Sequence, residues 1–312
     1  MKGPLFYSKI LLFGEYGIIK DSKGLSIPYN FYNGALKLSD NDTEQAKKSN
    51  TNLRKFAAYL EALQENNPEL VKFDIEALKA DISNGMYFDS SIPQGYGVGS
   101  SGALVAAIYD KYAHDKITVL ENLTRDKLLK LKKIFGEMES FFHGKSSGLD
   151  PLNSYLSIPI LINSKENIEP AGIPSQTENG TGAVFLLDSG ITGDTAPMVS
   201  IFMENMKQEP FRKMLKDQFV TQTDACVDDF LKGDVKSLFK NVKKLSHTVL
   251  DNFKPMIPAQ FHKLWQKGIE TNDYYLKLCG SGGGGYILGF TEDIEKARES
   301  LKGYNLEVVY NF

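Results

Sequence analysis

The stretch Pro93 to Ala103, PQGYGVGSSGA, has residue types and spacing suited to gripping an anion. Gly95, Gly97, Gly99 and Gly102 let the backbone approach a ligand with N–H groups turned inward, and a helix starting near Ser101 adds a positive dipole end. A phosphate cradle and a tight turn without a ligand both fit that composition. The same stretch contains G-x-G-x-x-G as Gly97, Gly99 and Gly102, and Ile117 to Glu121, ITVLE, could pass for a second strand ending in an acid. Against a dinucleotide site, the preceding YFDSSIP is polar and ends in Pro93, where a buried first parallel strand would be an uninterrupted apolar run. No Gly-Lys-Ser/Thr follows, so the loop is not a Walker A motif.

A second constellation runs from Glu137 to Asp150, EMESFFHGKSSGLD. Glu139 falls at the edge of an apolar helical stripe, where a carboxylate needs a partner, so it is either half of a salt bridge or a magnesium ligand. Asp150 follows a glycine-containing turn and precedes Pro151, which also suits a helix N-cap. His143 is either a general base or a histidine that satisfies the last carbonyls of its helix. The third constellation is Lys277 to Tyr286, KLCGSGGGGY. Ordering a four-glycine run between strands is entropically unfavourable, so the run is either a loose hairpin tip or a loop stabilised by what it contacts.

These groups must be positioned by regular elements. Ser8 to Phe13 reads as a strand, as do Gly17 to Ile19 and Leu25 to Ile27 around the turn-prone Lys20 to Gly24. Leu53, Phe56, Ala57, Leu60 and Leu63 recur at helical spacing over Thr51 to Gln64. Asn84 to Ile92 is extended, and a helix opens at Ser100. A second helix, Arg125 to Phe142, carries a stripe through Leu128, Leu131, Phe135, Met138 and Phe142. The polar segment Asn163 to Gly182 marks a division near residue 180. Beyond it the pattern predicts a strand at Ala183 to Leu187 and helices between Met198 and Thr271. Two strands around the glycine run, a helix at Glu292 to Lys302 and a last strand at Leu306 to Tyr310 complete it.

The chain has 312 residues, enough for two domains at roughly 100 to 200 residues each. Hydrophobic residues are 42% and charged residues 24%, ordinary globular usage that excludes disorder and collagen-like repeats. With 36 basic and 39 acidic residues the net charge is −3, so nucleic acid is an unsuited partner. Cys226 and Cys279 offer no disulfide framework or structural zinc and read as reduced thiols. No apolar run is long enough to span a membrane and the first residues do not form a signal peptide, so the expectation is a cytoplasmic protein with no membrane partner.

Taken together, KILLFGEYGII (Lys9 to Ile19), PQGYGVGSSGA and KLCGSGGGG (Lys277 to Gly285) resemble, in order and spacing, the three signatures of the GHMP kinase superfamily. HGKSSGLD (His143 to Asp150), with Glu139 upstream, is similar to the mevalonate kinase branch of that superfamily. The resemblance implies a two-domain α+β fold. An N-terminal domain with a mixed sheet would take residues 1–180 and carry the phosphate loop. A ferredoxin-like C-terminal domain would take residues 181–312, with the active site in the cleft between them. It implies an enzyme that uses ATP and Mg²⁺ to phosphorylate a small-molecule alcohol, the primary hydroxyl of mevalonate, as a monomer or homodimer. Under it Pro93, Gly95, Gly97, Gly99, Ser100, Ser101, Gly102 and Ala103 hold the triphosphate, and Ser101 and Glu139 bind the metal. Asp150 takes the acceptor's proton beside Lys9, and Glu15, Tyr16, Gly280, Gly282 and Gly283 meet the acceptor. Tyr16 stands where that branch usually has histidine, and Lys145 and Ser146 replace the frequent Asn-Pro. Phosphomevalonate or a sugar are the other acceptors this superfamily admits, and a nucleotide-binding protein without catalysis is the remaining alternative.

Overall fold

The computed structural model describes residues 4–38, 43–119, 122–177 and 180–312. The chain forms two compact units, each assembled from separate stretches of sequence. The first comprises Met1–Lys9, Pro28–Pro93 and Gly99–Ile158; the second comprises Ile10–Ile27, Gln94–Val98 and Pro159–Phe312. The polar segment expected to mark a division near residue 180 includes Glu178 and Asn179, which lie outside the described residues.

Strand β1 (Phe6–Phe13) begins in the first unit, and β2 (Gly24–Leu38) ends in it. Gly17 to Ile19, expected as a strand, instead lie in one 3₁₀ turn, Gly17–Lys20, closed by an Asp21 in the left-handed conformation. The run is too short, and too closely followed by the turn residues Asp21 to Gly24, to extend a ladder. Helix α1 (Glu44–Asn66) starts on Thr43, whose side chain accepts from the Ala46 N–H at 3.2 Å, and buries Leu53, Phe56, Leu60 and Leu63 along one stripe. Helix α2 (Ile75–Ser83) leads into β3 (Met86–Ser90), which pairs antiparallel with Gly34 to Leu38 of β2. Ile117 to Val119 form no strand, while Leu120 and Glu121 lie outside the described residues. An antiparallel β3 before the glycine loop is not the parallel strand a dinucleotide fold requires.

Helix α3 (Ser100–Tyr112) is the central helix of the first unit. Its Ala-rich sequence is buried on most sides, and it packs on α4 (Arg125–His143) and α5 (Leu149–Leu156). The small side chains let these helices come close, which places the start of α5 against the start of α3. The side chain of His143 lies outside the described set.

In the second unit, β4 (Ile160–Ser164) pairs with the start of β2 and with β5 (Asn167–Pro170). Strand β6 (Ala183–Asp188) then precedes a helical run of α6 (Thr195–Asn205), α7 (Glu209–Met214), α8 (Thr221–Lys232), α9 (Val235–Asn252) and α10 (His262–Thr271). It closes with β7 (Tyr275–Leu278), β8 (Tyr286–Thr291), α11 (Ile294–Ser300) and β9 (Leu306–Asn311). The sheet order is β7-β8-β6-β9, antiparallel at every pairing. Strand, helices, two strands, helix, strand in that order is the ferredoxin-like arrangement expected for this half. Helix α9 packs on α8 and on β7, burying Leu238, Val242, Leu245 and Val249. No helix among the described residues is long and apolar enough to cross a membrane.

Candidate active site

In the first unit, the glycine loop ends at Gly99, whose φ of 83° serves as the N-cap of α3. Helix α3 has no side-chain cap and no acidic residue in its first turn, so its own sequence supplies no counter-charge to its positive end. Lys9 reaches this point from β1: a Cβ added at Gly99 would stand 3.1 Å from the Lys9 Cγ. The Lys9 Nζ lies 2.8 Å from Asp150 Oδ1, with the lysine buried and the carboxylate partly exposed. Asp150 sits within the first turn of α5, whose N-cap is Gly148, so the capping role open to it in the sequence falls to a glycine. Gly102 explains its own identity, because a Cβ there would meet the backbone carbon of Asp150 at 2.7 Å.

Glu139 joins this group from α4. It is 4% exposed, its Oε1 accepts from Ser101 Oγ at 2.9 Å and its Oε2 from Ser146 Oγ at 2.5 Å. Burial, and then repulsion from Asp150, push its carboxyl up to about 7, with Lys9 and the two serines pulling the other way. Neither the simple salt bridge nor an isolated carboxylate describes it: two hydroxyls meet its oxygens while a second carboxylate lies close. The donor set fits a magnesium ion, which takes oxygen ligands and uses few protein groups, filling its remaining positions from phosphate and water. No group of three or more His, Cys, Asp or Glu residues that could hold a metal occurs among the described residues. Ala103 is different: its methyl is fully buried and its N–H donates to Gly99 O at 3.1 Å, so it serves the helix.

In the second unit, the loop residues Gln94 to Val98 lie along the other glycine-rich segment. A Cβ at Gly97 would stand 2.7 Å from Cys279 O, and one at Gly285 would stand 2.4 Å from the Tyr96 Cα. Gly193 N donates to Gly95 O at 2.8 Å and Tyr286 N to Tyr96 O at 3.3 Å, while the Tyr96 and Tyr286 rings meet edge-on at 4.9 Å. Gly283 N donates to Met256 O at 2.7 Å, and a Cβ at Gly282 would fall 2.5 Å from the same oxygen. The four-glycine run is therefore packed backbone against backbone and is not a loose hairpin tip.

Glu15 and Tyr16 occupy the turn after β1, where Tyr16 takes φ 59°. Their polar groups point into protein. The Glu15 Oε1 lies 2.6 Å from Lys277 Nζ, both side chains at most 5% exposed, and the same Nζ donates to Leu278 O at 2.8 Å. The Tyr16 hydroxyl donates to Ser281 O at 2.7 Å, and its ring stacks on Phe202 at 4.6 Å. Together they hold a strained turn onto the glycine segment beside β7. Lys277→Met is expected to destabilise the protein by roughly 3 to 5 kcal/mol, because it removes one member of a buried ion pair, and adding Glu15→Leu should recover most of that loss. Urea unfolding measures both; an unchanged midpoint for Lys277→Met would contradict the pair's importance.

Sequence reasoning missed Lys277 and Ser146 as partners of these carboxylates. A lone lysine inside the apolar run YYLKLC was a usable signal, since an unpaired lysine is rarely buried in a strand. Nothing in the sequence pointed to Ser146.

Residues 53–157 match the GHMP kinases N terminal domain. No curated protein matches the sequence. Among solved structures, the chain is similar to the L. major mevalonate kinase in complex with R-mevalonate, at 16% identity, covering 100% of this chain and 99% of that one with a TM-score of 0.64. It is also similar to the Streptococcus pneumoniae phosphomevalonate kinase in complex with phosphomevalonate and AMPPNP, at 14% identity over 98% and 99% of the two chains, with a TM-score of 0.62. A third is the Lactococcus lactis galactokinase complexed with galactose, at 12% identity over 98% and 92%, with a TM-score of 0.60. Residues 53–157 thus match the model of the GHMP kinases N terminal domain, and the chain along its whole length shares the fold of these solved kinases.

Proposed function

We propose that this chain is an ATP-dependent small-molecule kinase, and that its acceptor is the primary hydroxyl of mevalonate. The observation that carries the reading is the Lys9–Asp150 pair at 2.8 Å beside Gly99 and Gly102, at the start of α3 and next to the Ser101–Glu139 contact. Phosphoryl transfer needs backbone donors and positive charge around the phosphates and a carboxylate aimed at the nucleophile. Each has a candidate in that cluster. Pro93 to Gly102 line the triphosphate, with the uncapped start of α3 facing its charge. Ser101 and Glu139 would hold Mg²⁺, which when bound neutralises phosphate charge. Asp150 orients the acceptor hydroxyl and takes its proton as the oxygen bonds to the γ-phosphorus and the β,γ-bridging bond breaks, releasing ADP. Lys9 fixes the Asp150 carboxylate and faces the transferred group. In this reading residues 1–180 carry the nucleotide machinery and residues 181–312 support the acceptor, in a cytoplasmic monomer or homodimer.

The stretch His143 to Asp150 and the likeness to the L. major enzyme favour mevalonate. The second acceptor to weigh is phosphomevalonate, because Tyr16 replaces the histidine of the mevalonate branch and spends its hydroxyl on Ser281 O. ADP release measured with mevalonate, phosphomevalonate, galactose and homoserine separates these. Mevalonate-dependent release is the expected result. Release only with phosphomevalonate would transfer the assignment, and nucleotide binding without release with any acceptor would end the kinase reading.

A further inference from the structure

We propose that the second unit binds one internal water molecule between Lys277 Nζ and Thr223 Oγ1, and that this water completes the hydrogen bonding of the buried Glu15–Lys277 pair. Such a site stands whether or not the chain is a kinase.

A cavity of about 10 Å³ lies beside the turn after β1. Glu15 lines it from that turn, Phe219 from the wide helical turn Leu215–Val220, Thr223 from α8, Val249 from α9 and Lys277 from β7. Each of these side chains is buried, so a polar group there must find its partner inside the protein. One water needs about 10 to 15 Å³, and it is held only where it gains two or more polar partners. Two are present. Lys277 carries three N–H donors, of which Glu15 Oε1 at 2.6 Å and Leu278 O at 2.8 Å take two. Among the described residues the third has only the face of the Phe13 ring, whose centre is 5.9 Å from Nζ. Thr223 Oγ1 is buried and has no hydrogen-bond partner among the described residues. A threonine inside a helix often bonds its hydroxyl back to the carbonyl four residues earlier, here that of Phe219, and this one does not. Leaving either group unmatched in a buried site is unfavourable, and a water that accepts from Lys277 Nζ and bonds to Thr223 Oγ1 satisfies both. The Lys277 ammonium disfavours a cation in this space and the Glu15 carboxylate disfavours an anion, so neutral water is the ligand the charges admit. The water would tie α8 to the strand that runs into the glycine segment at Gly280.

The test joins a high-resolution crystal structure of the full chain to a double-mutant cycle in urea. The crystal should show one density peak within hydrogen-bond distance of both Lys277 Nζ and Thr223 Oγ1. Thr223→Val in the parent should shift the unfolding equilibrium toward the unfolded chain by about tenfold, the scale of one hydrogen bond in a charged site. In the Lys277→Met/Glu15→Leu background, where the cavity has lost its charged groups, the same substitution should leave the urea midpoint unchanged or raise it. Equal shifts in the two backgrounds would overturn the proposal, as would a parent stabilised by Thr223→Val, the result for a hydroxyl that nothing satisfies. A dry cavity in the crystal would overturn it without any variant, so a double variant that fails to fold leaves the question decided by the parent protein.

Discussion

Asp150→Asn is expected to lower turnover by roughly 10²- to 10⁴-fold while nucleotide affinity stays near the parent value. The substitution preserves shape, and the amide oxygen can still accept from Lys9, so the geometry at the start of α5 should survive. What disappears is the charge that we propose receives a proton from the acceptor. Lys9, 3% exposed, then loses the charge of Asp150 beside it, and a modest loss of thermal stability should accompany the kinetic effect. Steady-state kinetics with calorimetric titration of an ATP analogue distinguishes these effects. Turnover near the parent level would remove Asp150 from the mechanism and leave the pair with Lys9 a structural feature. Equal losses of nucleotide binding and turnover would point to collapse of the loop instead.

Glu139→Gln should act in opposite directions with and without metal. In the metal-free protein the Glu139 carboxyl is raised from an ordinary 4.5 to about 7, chiefly by burial and next by Asp150. A raised folded-state value means the native protein holds a proton the unfolded chain has already released, so stability from this group is fully present below about 4.5 and is lost as pH rises through about 7. At pH 8 the ionised, buried carboxylate opposes folding, and the glutamine variant should be more stable than the parent by roughly 3 kcal/mol. The difference should shrink steadily as the pH falls toward 5. Added Mg²⁺ with nucleotide should reverse the order, because a cation at Glu139 repays its ionisation in the parent and finds no charge in the variant. Denaturant unfolding at several pH values, repeated with Mg²⁺ and an ATP analogue, is the measurement. Parallel stability curves for the two proteins across that range would show that Glu139 carries no such strain.

Both effects arise where short-range sequence patterns and long-range packing meet. Most helices and strands were legible because their determinants are local: Leu53, Phe56, Leu60 and Leu63 recur at helical spacing, and the runs on either side of Gly282–Gly285 are apolar and β-prone. Gly17 to Ile19, expected as a strand, form part of a 3₁₀ turn, since so short an apolar stretch leaves the choice to its neighbours.

The sequence by itself determined the inventory of each unit: the helix start at Gly99, carboxylates at 139 and 150 and a lysine at 9 in the first, and a glycine segment from 280 in the second. It also determined that α3 starts without a cap, because Gly99 precedes Ser100 and no acidic residue stands in the first turn. Only the tertiary structure decided which groups meet. Asp150 could cap its own helix or face a lysine far away in sequence, and the close approach of α3 and α5 through Gly102 selects the second. Glu15 could face solvent or ligand, and a lysine from β7 takes it inward. The reason is physical: a hydrogen bond or ion pair depends on separation in space, and separation in sequence constrains that only within a turn or two of one element. Partners contributed by different elements follow from how closely those elements pack, which the side chains of the whole unit decide together.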